Sequence, residues 1–354
     1  MNKKLQIGLI GAGGIVQGAH LNPGWLAVPD CEVVAVCDVN PIAAQKLADK
    51  FKIPHVFNNY QDLVKMKQLD AVDICTPNKL HTPMVIAALK AGKHVMCEKP
   101  LATTTKEVLQ MQAAAKKAGK ILMTAQHCRF GEHSQAIKAW IDTGALGEVY
   151  HARVNATRRN HLPISPGFIN PELSGGGPCL DIGVHALDTA MWMMGFPRPV
   201  RVSGRALTNF AKGHEIPGAW GEWDRKMYGV EDFASGYIHF ENGATMALEA
   251  SWLQHQEKED WNAVLLGKKA SVKWPTGEFY TAVNRALVDG KILPKPGCQP
   301  AHTEEILAFA KAIREELPSP VPVEQTLYVI AILEGIMNSS ATNKEIVLPK
   351  YPKA

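Results

Sequence analysis

From residue 5 to residue 124, short and almost wholly apolar runs alternate with segments of helical spacing. The runs 5–10, 31–37, 71–75, 94–97 and 121–124 carry few polar positions, as strands covered on both faces do, and this predicts a parallel sheet. Between them, 41–51, 81–91 and 103–118 repeat apolar residues at helical intervals. The last of these opens on Thr104-x-x-Glu107, a capping box. Strands alternating with helices predict a doubly wound α/β domain over residues 1–124. Beyond it the rhythm changes. A helix is expected at 134–143, a long strand at 148–158 and a second helix after Gly175-Gly176-Gly177-Pro178. Alternating strands follow at 200–207, 232–240, 244–251, 262–266 and 270–274, the Asn242-Gly243 pair marking one hairpin. Helices at 303–314 and 323–340 close a second α/β domain, 125–354, with an open, mainly antiparallel sheet.

Composition narrows the class of protein. The 354 residues are 46% hydrophobic and 20% charged, with a net charge of +4 spread along the chain. No dense basic run points to nucleic acid or an anionic membrane, and no apolar run has transmembrane length. The basic start is interrupted at once by Gly8, Gly11, Gly13 and Gly14, which spoils it as a secretory signal. The seven cysteines form no C-x-x-C pair, so reduced thiols and a cytoplasmic protein are expected.

The chemistry begins at the first strand end. Gly11-Ala12-Gly13-Gly14-Ile15-Val16 directly follows a strand and opens a helix. Gly11 permits a tight turn, Gly13 admits close backbone approach, and the helix N-terminus offers free N–H groups to a pyrophosphate. Val16 replaces the third glycine of the usual fingerprint. Asp38-Val39 ends the second strand, where a carboxylate accepts the adenosine ribose hydroxyls and repels a 2′-phosphate. NAD is therefore expected in preference to NADP. Two further strand ends carry Thr76-Pro77-Asn78 with His81 beyond, and Glu98-Lys99-Pro100. Charged residues directly after buried runs serve packing poorly, so Lys99 is read as catalytic. Gln126, after the last parallel strand, is placed beside the nicotinamide. Asp181, His185 and Asp188 follow the glycine turn at helical spacing, one turn apart, with Gly183 thinning the helix between the first two. Both Asp181 and Asp188 are expected near the His185 imidazole, and no further clustered ligand suggests a metal.

Taken together, Gly11-x-Gly13, Asp38, Thr76-Pro77-Asn78-x-x-His81, Glu98-Lys99-Pro100 and Asp181-x-Gly183-x-His185-x-x-Asp188 resemble the Gfo/Idh/MocA oxidoreductases over essentially the whole chain. The resemblance implies an N-terminal Rossmann domain, and a second domain whose sheet pairs copies into a homodimer or homotetramer. It implies hydride transfer between NAD and a secondary alcohol of a sugar, glycoside or cyclitol. His185 is then the general base, Asp181 orients it, and Lys99 holds the developing alkoxide. Substrate contacts are implied around Arg158, Arg159 and His161, and Trp220-Gly221-Glu222-Trp223 is a candidate to stack on a sugar ring or to cover a partner subunit. The segment 158–168 is similar to that of members acting on glucosides or inositols, at carbon 3 by that analogy. Two other readings remain open on the sequence. One is a glycosidase working by transient oxidation and elimination, with Tyr228, His161 or His214 as a second base. The other is a non-catalytic NAD-dependent sensor, for which a proton relay of Lys99, Asp181 and His185 has no use.

Overall fold

A computed structural model describes residues 4–295 and 297–351. The chain forms two compact units, one of residues up to His127 with Gln299–Thr326, the other of Cys128–Cys298 and the segment from Leu327. The helix Ala301–Arg314 thus belongs to the first unit, packing on the segment Val16–Gly24, whereas a division at residue 124 assigns it to the second. Its buried face of Ile306, Phe309 and Ala310, with Phe309 edge-on to Trp25, supplies the reason.

Among the described residues of the first unit six parallel strands lie in the order β3-β2-β1-β4-β5-β6. They are β1 (Leu5–Ile10), β2 (Cys31–Cys37), β3 (His55–Phe57), β4 (Ala71–Ile74), β5 (His94–Cys97) and β6 (Leu122–Thr124). Ile7, Leu9, Val36, Val72 and Val95 are fully buried, as strands between two helical layers require. The order reverses between β1 and β4, and at such switch points α/β sheets bind their ligands. The predicted capping box is present. Thr104 Oγ1 accepts from Glu107 N, and Glu107 Oε2 accepts from Thr104 N. β3 and the short helix Tyr60–Val64 were not predicted.

Among the described residues the second unit holds nine strands in the order β14-β13-β12-β11-β7-β10-β9-β8-β15. Here β7 is Val149–Thr157, β8 Pro199–Leu207, β9 Phe233–Phe240, β10 Thr245–Ser251, β11 Asp260–Gly267 and β12 Ala270–Trp274. β13 (Glu278–Val283) and β14 (Ala286–Lys291) form an unpredicted hairpin, and β15 (Ile346–Val347) an edge. Among the described residues only β7 and β10 pair in parallel in this sheet, so it is mainly antiparallel, as expected. The predicted hairpin turns at Gly243, φ +85°, with Asn242 Oδ1 accepting from Ala244 N. Among the described residues no two cysteines are joined in a disulfide. Among the described residues no helix is long and apolar enough to cross a membrane.

Candidate functional site

The glycine turn sits at the switch point of the parallel sheet. Gly11 has φ +112°, and a Cβ there would lie 2.4 Å from the Cys75 carbonyl oxygen, so any side chain is excluded twice over. Cβ atoms at Gly13 and Gly14 would meet nothing, which leaves open the space a pyrophosphate needs. Asp38 braces the turn. Its Oδ2 accepts from Ala12 N at 2.8 Å and its Oδ1 from Asn40 N at 2.8 Å, while Asn40 caps the helix Pro41–Phe51. A carboxylate has lone pairs to spare beyond these two bonds, so a ribose can still be received. Val16 is fully buried, Ile15 is partly exposed and Val39 lies largely in solvent beside Asp38. Gln126, two residues past β6, is buried with neither amide atom hydrogen-bonded among the described residues. Buried amides are normally satisfied, and an orphan of this kind marks a place for a polar ligand. Open glycine backbone, a strand-end carboxylate and an unsatisfied amide together fit a dinucleotide.

Two of the predicted cofactor residues have other work. His81 is fully buried, with Nε2 2.8 Å from Thr76 O and Nδ1 2.9 Å from Pro100 O. It ties the Thr76-Pro77-Asn78 loop to the Glu98-Lys99-Pro100 turn and has no surface left for a ligand. Burial pushes its pKa down against the pull of those carbonyls. Glu98 is likewise turned inward, bonding His20 Nε2 at 2.7 Å through Oε1 and Lys99 N at 2.9 Å through Oε2. Burial alone would raise its pKa, yet the His20 hydrogen bond and charge, with help from Lys99, hold it at about 2. Lys99 follows directly, at the carboxyl end of β5.

Near Lys99 and Glu98 the rings of His127 and His302 stack, centroids 3.9 Å apart and planes 16° apart. Burial, then the neighbouring His302, keeps His127 near pKa 3, and His302 is depressed to about 4, first by its own burial. With Glu305 these residues form a His-His-Glu group. Imidazole lone pairs lie in the ring plane, however, and two near-parallel planes cannot both aim at one ion without reorienting.

The second unit presents the other set of residues. After Gly175-Gly176-Gly177-Pro178 the chain enters a π-helical turn, Cys179–Gly183, continuous with the helix Val184–Met193. The glycine run answers to Glu231, because a Cβ on Gly177 would fall 2.0 Å from the Glu231 carbonyl oxygen. Glu231 Oε1 accepts from Cys179 N at 3.2 Å. Asp181 and His185 lie one turn apart, as predicted, with Gly183 between them against Ala250. Asp181 Oδ2 accepts from Trp252 Nε1 at 3.1 Å and lies 3.9 Å from Arg158 Nη1. It forms part of a cleft of about 390 Å³ lined by Arg158, Pro163, Ile164, Ser165, Phe168 and Trp220. The Arg158 guanidinium lies 4.9 Å from the Trp220 ring centroid. Trp220, Ile164 and Phe168 are 49%, 43% and 39% exposed, an apolar rim above polar Asp181 and Arg158. Sugar sites combine such a wall with a few directed polar groups. The loop bearing Trp220 is anchored where Asp232 accepts the backbone N–H groups of Asn209, Phe210 and Ala211.

Several expectations are corrected here. Asp188 does not serve His185: its carboxylate takes a bidentate bond from Arg129, Nε and Nη2 both at 2.6 Å, because the two residues face each other in the core. Arg159 bonds Glu257 O on an exposed face, and His161 pairs with Glu259 while meeting Trp220 edge-on; neither lines the cleft. Tyr228 is buried, donates to Glu231 O and has its pKa driven up by that burial, so it is unfit as a second base. His20, Arg129, Trp252 and Glu231 escaped the sequence reading. Trp252 had a visible signal, an aromatic directly after the predicted strand 244–251.

Burial lifts the Glu231 pKa to about 7, against the backbone bonds that lower it, and its Oε2 has no partner among the described residues. A folded value above the unfolded one means that an ionised Glu231 costs stability, fully above pH 7 and not at all below about pH 4.5. Glu231→Gln is therefore expected to raise stability at pH 8 by roughly 3 kcal/mol, at about 1.4 kcal/mol per pKa unit. The gain should shrink towards zero by pH 4.5. Melting curves at several pH values check this, and an unchanged or lower Tm at pH 8 contradicts it.

Comparison with known proteins supports the fold and identifies the family. Residues 5–126 match the oxidoreductase family with an NAD-binding Rossmann fold, and residues 134–273 match the GFO/IDH/MocA C-terminal domain. The chain is 33% identical to the D-glucoside 3-dehydrogenase of Escherichia coli, with 97% of each chain covered. Levoglucosan dehydrogenase of Pseudarthrobacter phenanthrenivorans is 29% identical over 72% of this chain and 69% of its own. Among solved structures, an oxidoreductase domain protein from Kribbella flavida superposes with a TM-score of 0.85 at 25% identity, covering 98% of this chain and 100% of that one. A levoglucosan dehydrogenase solved with NADH gives 0.83 at 25%, with the same coverage. The chain therefore belongs to the Gfo/Idh/MocA family of NAD-binding oxidoreductases.

Proposed function

We propose that this protein oxidises a ring hydroxyl of a sugar, glycoside or cyclitol to the ketone, with NAD as the acceptor. The observation that carries the substrate class is the cleft in which Asp181 and Arg158 lie beneath the apolar rim of Ile164, Phe168 and Trp220. A pyranose ring has C–H patches that settle on an aromatic face and hydroxyls that reach a carboxylate and a guanidinium. NAD, when bound, accepts the hydride from the carbinol carbon. In our reading His185 takes the hydroxyl proton, Asp181 steadies the site through Trp252 and Arg158, and Lys99 stabilises the oxygen as charge builds on it. Asp38 favours NAD over NADP by repelling a 2′-phosphate. The kinship with a D-glucoside 3-dehydrogenase supports a glucoside substrate and carbon 3 as the oxidised position. A second copy of the chain meeting the wide sheet of the second unit fits the family resemblance.

The test is a panel of free sugars, alkyl and aryl glucosides and inositols, each followed for NADH formation. Glucosides are expected to give stoichiometric NADH. Trp220→Ala should raise KM for the best glucoside about tenfold with kcat little changed, the loss of one ring-stacking contact worth about 1.4 kcal/mol. A panel without NADH formation overturns the reading, and a Trp220→Ala enzyme with unaltered KM removes Trp220 from the site.

A further inference from the structure

His20 is absent from the mechanism above, yet a carboxylate stands against each of its ring nitrogens. It lies on the segment Val16–Gly24 that follows the glycine turn, and it is fully buried. Nδ1 lies 2.9 Å from Asp73 Oδ2 on β4, and Nε2 lies 2.7 Å from Glu98 Oε1 at the end of β5. Trp25 Nε1 donates to the same Asp73 oxygen at 2.8 Å, and Cys75 Sγ lies 3.4 Å from Nδ1. An imidazole between two carboxylates bonds both only when both its nitrogens carry protons. The other oxygen of Glu98 receives the backbone N–H of Lys99 at 2.9 Å. A chain of short bonds thus runs Asp73, His20, Glu98, Lys99 N, from the sheet interior to the residue that leaves β5.

We propose that His20 is a positioning residue for Lys99: by clamping Glu98 it fixes the carboxylate that holds the Lys99 backbone, and so the direction in which the Lys99 side chain departs. This rests on the reading of Lys99 as the group that acts on the substrate oxygen. A misdirected lysine lowers turnover without touching the glycine turn or Asp38, where NAD is held. Catalytic groups depend on neighbours in this way, since small errors in placement cost large factors in rate.

Two substitutions separate positioning from bulk packing. In His20→Gln the amide reaches the place of Nε2 and can still bond Glu98; in His20→Asn it reaches the place of Nδ1 and bonds Asp73 alone. With purified full-length enzyme, NAD and the best glucoside, His20→Asn is expected to lose roughly 10- to 100-fold in kcat, within the range of effects from misplaced groups. KM for NAD should stay near the wild-type value. His20→Gln should recover most of that loss at a comparable Tm. In a Lys99→Ala background, His20→Asn should change kcat by less than about twofold, because a residue acting through Lys99 has nothing left to position. Independent, multiplicative losses, or turnover that follows Tm in both variants, overturn the proposal. Lys99→Ala with normal turnover overturns instead the reading on which it rests. If His20→Asn does not fold, Glu98→Ala cuts the same link from the other end and enters the cycle in its place.

Discussion

Lys99→Ala is expected to lower kcat by roughly 10³-fold, within the 10²–10⁴ range typical of a group that transfers or stabilises a proton in the transition state. NAD affinity should change little, because the glycine turn, Asp38 and Gln126 lie on other strand ends. The expectation follows from where Lys99 stands. Val95, Met96 and Cys97 of β5 are fully buried, and the first charged pair after them, Glu98 and Lys99, divides its roles. Glu98 turns inward to His20, and Lys99 follows at the carboxyl edge of the sheet, where ligands of such folds bind. A loss confined to kcat is the signature of an interaction made in the transition state, and an equal loss in NAD binding would make Lys99 a cofactor anchor instead. Isothermal titration with NAD beside steady-state kinetics distinguishes the two.

The largest loss of stability is expected from Asp188→Ala, on the order of 3–5 kcal/mol, the cost of leaving a buried charge without its partner. Arg129 and Asp188 are both nearly or wholly buried, joined by two parallel bonds, and Arg129 also lies 4.8 Å from the Phe196 ring centroid. The two halves of the pair are not equivalent. Burial already raises the Asp188 pKa despite Arg129, so a carboxyl left alone can take up a proton. A guanidinium cannot shed one. Arg129→Met should therefore cost less than Asp188→Ala, and the double variant Arg129→Met with Asp188→Leu should recover part of the loss. Chemical denaturation of the four proteins measures this; equal costs for the two single variants would contradict it.

Much of this architecture was legible because its signals are local. β1, β2, β5 and β12 begin and end where the apolar pattern does, and the capping box at Thr104 announced its helix. The hairpin at Asn242-Gly243 was visible for the same reason. That of β13 and β14 was not, because its left-handed positions are occupied by Asn284 and Arg285, without the glycine that usually marks such a turn. Its strands are also largely exposed, so the apolar half of their alternation is weak.

The site residues divide along similar lines. Gly11, Asp38, Lys99, Asp181 and His185 stand at strand ends or on one helical face, and chain position alone singles them out. His20 and Arg129 take their roles from partners 53 to 78 residues away, a separation that no spacing rule reaches. Residue type also misled in predictable ways. Asp188 has helical spacing from His185 but turns to a guanidinium in the core, while His81 looks like a ligand-facing polar group but joins two loops. Arg159 sits next to Arg158 just past the end of β7, where the chain bends and the two side chains part. One reaches the cleft and the other an exposed carbonyl.

The central claim is net hydride transfer from a ring carbinol to NAD, and isotope transfer tests it most directly. A glucoside deuterated at the ring carbon that is oxidised, incubated with NAD and the full-length enzyme, should yield reduced cofactor carrying one deuterium, in step with the keto sugar formed. Release of the aglycone with no accumulation of deuterated cofactor would contradict the account and point to transient oxidation with elimination.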